Sequence, residues 1–243
     1  MDLLLIFVLG TFLMRSAGCC VNDFADFKYD GEVARTKSRP LASGVLERKD
    51  ALFFFLALTA CGFILVLFTN LETILLALAG LVIVVIYPFM KRFTNLPQVV
   101  LGIAFSWGIL MAFTAQTETI PEGAYLLFIA NSLWTIAYDT EYAMVDRDDD
   151  IKLGLKSTAI LFGTADRAMV ALLQVMFLVS LMLAANRFEL GGWFFTGLLV
   201  AAILVLYQLY LIREREPSQC FEAFLNNNWV GAAIFIGIVL NYV

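Results

Sequence analysis

The sequence predicts an all-α fold, a polytopic transmembrane helical bundle of about eight spanning helices, and three observations predict it. Apolar residues make up 61% of the 243 residues and charged ones only 15%, whereas ordinary globular chains run at about 45–50% and about 25%. Eight apolar stretches follow one another, each near the ~20 residues that a spanning helix needs. The basic residues fall almost entirely in alternate turns between those stretches. Sixteen basic and twenty-one acidic residues are too few to coat a soluble core of this length, and the extracellular disulfide-rich and disordered classes fall for the same reason.

The expected spans are 3–21, 51–69, 72–90, 97–116, 121–142, 167–186, 190–212 and 225–243. The first begins almost at Met1 and runs to Asn22-Asp23, with no basic leader or small-residue cleavage site, so no cleavable signal is expected. The second follows Arg48-Lys49, and the third ends at Tyr87-Pro88 with Lys91-Arg92 behind it. The fourth closes before Glu118, and the fifth runs from Glu122 into an acidic cluster. The sixth lies between Arg167 and Arg187, the seventh between Glu189 and Arg213, and the eighth reaches the end of the chain. Leu, Val, Ile and Phe surround several of them on all sides, as expected where lipid is the solvent.

Turns after the first, third, fifth and seventh spans hold Lys28, Arg35, Lys37, Arg39, Arg48, Lys49, Lys91, Arg92, Arg147, Lys152, Lys156, Arg167, Arg213 and Arg215, fourteen of the sixteen basic residues. The opposite turns hold Arg187, and Arg15 lies inside the first span. The positive-inside rule assigns the crowded side to the cytoplasm. A single domain over 1–243 is expected, with cytoplasmic-side loops at about 25–50 and about 146–166.

Histidine is absent, which removes the commonest general base and the usual zinc ligand. Cys19, Cys20, Cys61 and Cys220 have no paired spacing and read as small packing residues. Chemistry must therefore rest on Asp, Glu, Lys, Arg, Tyr or a bound cation.

The aspartates form two clusters. Asn22, Asp23, Asp26 and Asp30 end the first span, and Asp139, Glu141, Tyr142, Asp146, Asp148, Asp149 and Asp150 end the fifth. At ~100° per residue, Asp23, Asp26 and Asp30 share one helix face, as do Asp139, Asp146 and Asp150, while Asp148 points away. Six carboxylates converging at the edge of a low-dielectric region repel one another unless cations hold them, and oxygen-only ligands favour Mg²⁺. Such ions leave positions for phosphate oxygens, and Arg35, Lys37 and Arg39 after the first cluster, with Lys152 and Lys156 after the second, complete a diphosphate clamp. A weak repeat, Asp26-x3-Asp30 before Lys37-Ser38 and Asp146-x3-Asp150 before Lys156-Ser157, fits a paired design.

With these residues the chain resembles the UbiA superfamily of intramembrane prenyltransferases, and within it the bacterial 4-hydroxybenzoate polyprenyltransferase branch of ubiquinone biosynthesis. The N-D-x-x-D-x-x-x-D motif falls on Asn22, Asp23, Asp26 and Asp30, and D-x-x-Y-A-x-x-D-x-x-x-D on Asp139, Tyr142, Ala143, Asp146 and Asp150. Arg39-Pro40-Leu41, Tyr87-Pro88-Phe89-Met90-Lys91-Arg92 and Lys156-Ser157-Thr158-Ala159 match as well.

The resemblance implies transfer of a polyprenyl group from polyprenyl diphosphate to the ring carbon ortho to the phenol of 4-hydroxybenzoate, with release of diphosphate, in the bacterial inner membrane. It implies Mg²⁺, as two bridging ions, on Asp23, Asp26, Asp30, Asp146 and Asp150, with Asp139 as a further catalytic carboxylate. Substrate contacts are expected from Asn22, Arg35, Lys37, Arg39, Tyr87, Lys91, Arg92, Tyr142 and Lys156, with Arg92 pairing the acceptor's carboxylate or holding the diphosphate. The loop at about 25–50 is expected to cap the site against water, and membrane lipid, not nucleic acid, is the expected surrounding. Family members usually have nine spans, one more than is read here, and the extra one precedes the span that carries the first motif.

Three alternatives stand beside this. One is another aromatic acceptor within the superfamily. A CDP-alcohol phosphatidyltransferase would match Asp30, Gly31, Arg35 and Gly44, but Phe27, Arg48 and Leu52 stand where three of its aspartates are needed. A cation-coupled transporter needs carboxylates at mid-depth, whereas these gather at helix ends.

Overall fold

A computed structural model describes residues 2–33 and 35–243. Among the described residues ten α-helices follow one another: α1 (Leu3–Asp26), α2 (Arg48–Val66), α3 (Leu71–Ile86), α4 (Pro97–Thr117), α5 (Glu122–Val145), α6 (Arg147–Leu153), α7 (Thr158–Phe162), α8 (Asp166–Arg187), α9 (Gly192–Leu211) and α10 (Pro217–Tyr242). Short 3₁₀ turns follow α3 at Tyr87–Arg92, α7 at Gly163–Ala165 and α9 at Ile212–Glu214. Eight of the helices are long, matching the eight expected spans. Among the described residues, seven helical segments are long and apolar enough to cross a membrane, and the chain is an integral membrane protein. The remaining long helix, α5, has 24 residues, but Asn131, Ser132, Thr135, Asp139 and Glu141 dilute its apolar character.

Local chemistry sets the helix ends. Asp2 caps α1 by accepting from the Leu4 amide at 3.0 Å, and Glu47 and Asp50 form a reciprocal box at the start of α2. Asn70 caps α3 through the Thr73 amide, and Pro97 and Pro217 occupy first turns, where a missing N–H costs nothing. Two expected boundaries move. The first span continues to Asp26, and the last begins at Pro217, because apolar runs do not show where a helix stops when its end carries polar side chains into a site.

α5 lies at the centre, against α4, α8 and α10, while α1 pairs with α2 and α9 with α10. The main core joins α5, α8, α9 and α10 through Ala130, Phe177, Phe194, Ala201 and Val230. α9 and α10 approach closely at Gly197 and Gly237, where a Cβ added to Gly197 would meet the Ala233 carbonyl at 2.5 Å. A smaller core of Ala17, Val21 and Phe55 joins α1 and α2. Leu4, Phe12, Leu75, Leu172, Leu199 and Phe235 are among many large side chains left exposed on the outside, the surface that lipid covers. Of the cysteines, Cys220 is buried and Cys20 half-buried, but Cys19 and Cys61 are exposed, so only two of the four serve as interior packing.

The ends of the helices alternate as the charge pattern requires. Lys91 meets Asp26, Arg35 meets Asp146, and Arg215 meets Asp166, all at one end. At the other end Asn70 donates to the Thr114 carbonyl at 2.7 Å, and Arg187 lies 3.2 Å from Glu122. The stretches expected as loops carry more structure than a loop. Residues 146–166 hold α6 and α7, and the described residues of 27–33 and 35–46 form turns and bends tied by the Thr36 hydroxyl donating to the Asp30 carbonyl at 2.8 Å.

Candidate active site

α1 delivers the first carboxylates. Beyond its last residue the chain keeps a helical path, because the amides of Tyr29 and Asp30 both donate to the Asp26 carbonyl, at 2.7 and 3.0 Å. Asp30 therefore arrives about one turn past Asp26 on the same side. The turns that follow bring Arg35 and Arg39 back over the end of α1. α5 supplies Asp139 and Tyr142, the junction between α5 and α6 supplies Asp146, and α6 supplies Asp150. Asn22, Asp26, Asp30, Arg35, Arg39, Tyr87, Lys91, Asp139, Tyr142, Asp146, Asp150 and Lys156 line one cavity at the basic end of the bundle. The two aspartate clusters, 109 or more residues apart in sequence, thus face one space.

The carboxylates do not converge as six. Arg35 takes Asp146 with two hydrogen bonds, 3.1 Å from Nε and 2.5 Å from Nη2, and its guanidinium lies 4.5 Å from the Tyr142 ring centre. Arg39 bridges Asp23 at 2.9 Å and Asp30 at 3.2 Å. Lys91 Nζ lies 2.6 Å from Asp26. Among the described residues no three carboxylate or thiol groups stand close enough together to grip a metal ion. The basic side chains expected to wait for phosphate instead neutralise the aspartates, which repulsion in a poorly solvated space favours.

The donor set nevertheless suits Mg²⁺. Asp26, Asp30, Asp146 and Asp150 offer only oxygen, and Asp26 Oδ1 is buried with no hydrogen-bond partner. Burial pushes the Asp150 carboxyl up to about 6, and Asp146 and Asp26 add to the rise while Lys91 and Arg35 oppose it. A further positive charge is what this carboxylate lacks.

Several expected site residues lie elsewhere. Asp23 turns out of the cavity lining toward Arg39. Lys37 is exposed, so the repeat that equates it with Lys156 does not hold in three dimensions; Lys156 lines the cavity and donates to the Phe93 carbonyl at 3.2 Å. Lys152 pairs with Asp149 at 3.0 Å on the outer side of α6. Arg92 clamps the end of α1. It donates to the Ala25 carbonyl and stacks on Tyr29 and Phe89, with ring centres at 5.3 and 5.2 Å, so Lys91 rather than Arg92 faces the cavity. The single helical phase assigned to Asp139, Asp146 and Asp150 is broken, since α5 stops at Val145 and α6 restarts at Arg147. Asp148 is exposed.

Two contributors escaped the motif analysis. Gln98, in the first turn of α4, lines the cavity and accepts from the Thr158 amide at 3.0 Å, joining α4 to the second cluster's loop. Arg15 lies two turns below Asn22 on the same face of α1 and packs over Phe105, itself two turns below Gln98. The Arg15 side chain is exposed, donates to Cys19 Sγ and stands outside the cavity lining; an arginine inside an apolar run is the signal that marks it. Arg48, which stands where a phosphatidyltransferase needs an aspartate, stacks on Phe24 and Phe27 at 4.3 and 5.6 Å from the ring centres.

Comparison with known proteins agrees with this architecture. The model of the UbiA prenyltransferase family matches residues 1–235. The chain is 58% identical over 239 residues to a 4-hydroxybenzoate octaprenyltransferase of Ectopseudomonas mendocina (strain ymp), covering 98% of this chain and 81% of that protein. It is 59% identical over 237 residues to the protein of the same name from Pseudomonas syringae pv. syringae (strain B728a), covering 98% and 80%. The apo structure of a UbiA homolog from Aeropyrum pernix K1 superposes with a TM-score of 0.87 at 24% identity, over 98% of this chain and 89% of that one. A UbiA homolog from Archaeoglobus fulgidus bound to GPP and Mg²⁺ superposes with a TM-score of 0.66 at 17% identity, over 98% and 87%. These two structures share its fold.

Proposed function

This chain belongs to the UbiA prenyltransferase family, and from that premise we propose that it transfers a polyprenyl group from polyprenyl diphosphate to the carbon ortho to the phenol of 4-hydroxybenzoate, releasing diphosphate, in ubiquinone biosynthesis. The observation that carries the proposal is the single cavity at the basic end of the bundle into which both aspartate clusters open. The positive-inside rule supports placing that end on the cytoplasmic side of a bacterial inner membrane, with the whole chain acting as one domain.

Asp26, Asp30, Asp146 and Asp150 would hold Mg²⁺, as two ions, and Asp23 serves by anchoring Arg39. Bound there, the metal neutralises charge on the leaving diphosphate. Arg35, Arg39, Lys91 and Lys156 bind phosphate oxygens by charge-assisted hydrogen bonds. Asn22, Tyr87 and Tyr142 shape the wall, and the Tyr142 face already carries one cation, that of Arg35. The turns over 27–47 screen the site from water, which would quench an allylic cation.

The acceptor lies deeper. Asp139, in the cavity wall, is two turns below Asp146, and Arg15, outside the cavity lining, is two turns below Asn22, so opposite charges stand at similar depth. That pair suits an aromatic acid with a carboxylate at one end and a phenol at the other. Arg15 pairs with the carboxylate, and Asp139 accepts the phenol hydrogen bond, which raises electron density in the ring. Substitution on an electron-rich ring needs no protein nucleophile, in keeping with a chain without histidine.

The test is Mg²⁺-dependent release of diphosphate when the purified protein meets a polyprenyl diphosphate and 4-hydroxybenzoate. Release that needs all three components is the expected result. No release overturns the proposal, and release with an unrelated phenol but not with 4-hydroxybenzoate overturns the choice of acceptor.

A further inference from the structure

Asp146 stands at a bend. α5 ends at Val145, α6 begins at Arg147, and Asp146 between them has φ −97° and ψ 3°. The relative aim of Asp146 and Asp150 therefore depends on what fixes the start of α6. That helix has seven residues, none of them fully buried, so apolar packing alone does not fix it.

Arg147 does. Its Nη2 donates to the carbonyl of Ala159, to that of Gly163 at 3.2 Å, and to Asp166 Oδ2 at 2.6 Å. Asp166 has no exposed surface, and a second guanidinium holds its other side. Arg215 Nε lies 3.1 and 3.0 Å from the two Asp166 oxygens, and Nη2 donates to Oδ1 at 2.8 Å and to the Thr164 carbonyl at 2.9 Å. One buried carboxylate thus ties the α5–α6 bend to the α7–α8 turn and to the α9–α10 turn. Arg215 makes these bonds from a left-handed backbone, φ 59° and ψ 22°, a conformation that favours glycine. None of the three side chains lines the cavity.

We propose that the Arg147–Asp166–Arg215 clasp is a positioning device that fixes the α5–α6 bend so that Asp146 and Asp150 present to the same diphosphate-bound cations. It rests on the assignment of Asp146 and Asp150 as Mg²⁺-holding residues. Arg215 is the informative position, because glycine is at ease in its backbone conformation. If Arg215 only shapes a turn, Arg215→Gly leaves the protein as stable as before and metal affinity unchanged. As a positioning residue, it follows the pattern of outer partners of metal ligands, whose loss typically costs about 10- to 100-fold in metal affinity or activity.

The experiment titrates Mn²⁺ into the purified full chain with inorganic diphosphate, reading bound metal by electron paramagnetic resonance, for the wild type, Arg215→Gly, Arg215→Lys and Asp166→Asn. Metal affinity is expected to fall about tenfold or more in Arg215→Gly and Asp166→Asn, and less in Arg215→Lys, which keeps the charge without the two-pronged grip. Should Arg215→Gly fail to fold, the other two variants carry the comparison. Wild-type affinity in the folded variants overturns the clasp while leaving the metal assignment intact. Failure of the wild type to bind Mn²⁺ overturns both, and the separate assay of diphosphate release shows whether the transferase assignment falls with them.

Discussion

Arg35 and Asp146 meet across 111 residues of sequence through two hydrogen bonds, one of them 2.5 Å long, so that the turns after α1 are pinned to the end of α5. Both residues line the cavity, and the pair links the two aspartate clusters through side chains. Removing the guanidinium should cost both the proposed diphosphate contact and that link. Arg35→Ala is expected to lower kcat/KM roughly 10- to 100-fold, in line with about 1.5–3 kcal/mol for hydrogen bonds to a charged group. Arg35→Lys should recover only part of it, because an ammonium does not form the parallel pair. Steady-state kinetics with varied prenyl diphosphate checks this.

Asp26 and Asp146 lie on opposite sides of the same cavity, from α1 and from the α5–α6 junction. Asp26→Ala and Asp146→Ala are each expected to abolish measurable turnover while the purified protein keeps its helical circular dichroism. Asp148 faces outward, and Asp148→Asn should stay within about twofold of wild type. Turnover retained in either alanine variant contradicts the metal assignment, and damage from Asp148→Asn contradicts the orientation of α6.

The proposed pairing of Arg15 with the acceptor's carboxylate separates recognition of the two substrates. Arg15→Gln should raise KM for 4-hydroxybenzoate about tenfold or more and leave KM for the prenyl diphosphate near its wild-type value, since a charged ion pair is lost only with the acceptor. Equal change in both constants would remove Arg15 from the acceptor's site.

Behind α5 lies a polar contact that bears on stability. Trp134 Nε1 donates to Asn227 Oδ1 at 2.7 Å, and Asn227 Nδ2 donates to Glu141 Oε2 at 3.0 Å. Asn227→Leu strands the buried Glu141 carboxyl and the half-buried Trp134 N–H, the buried partner alone worth about 1–3 kcal/mol, and should lower the thermal unfolding midpoint clearly. Glu141→Gln keeps an acceptor for Asn227 and should unfold close to wild type. Differential scanning calorimetry in detergent distinguishes them.

Sequence patterns carried the helix count, the alternation of ends and most of the cavity lining, because lipid imposes long apolar runs and the two motifs sit on their ends. Patterns failed where neighbours distant in sequence decide the outcome. Nothing local marks the break at Asp146, where the chain has neither glycine nor proline; it follows from the hold of Asp166 on Arg147. Lys91 and Arg92 are adjacent and alike in charge, and only the stacking of Arg92 on Tyr29 and Phe89 shows which one serves the cavity. Lys37 and Lys156 share a spacing but not an environment, since the turns of 27–47 leave one in solvent while α7 and the Tyr87–Arg92 turn hold the other at the site.

The placement of all the phosphate-binding groups at one end of the bundle bears on bioenergetics. Moving one charge across the whole bilayer is worth about 2.3 kcal/mol per 100 mV, but a diphosphate that arrives at and leaves from the same face crosses little of that field. If the proposed groups bind the diphosphate, the protonmotive force has almost no purchase on the reaction. Proteoliposomes should then turn over at the same rate with an imposed diffusion potential as after an ionophore collapses it.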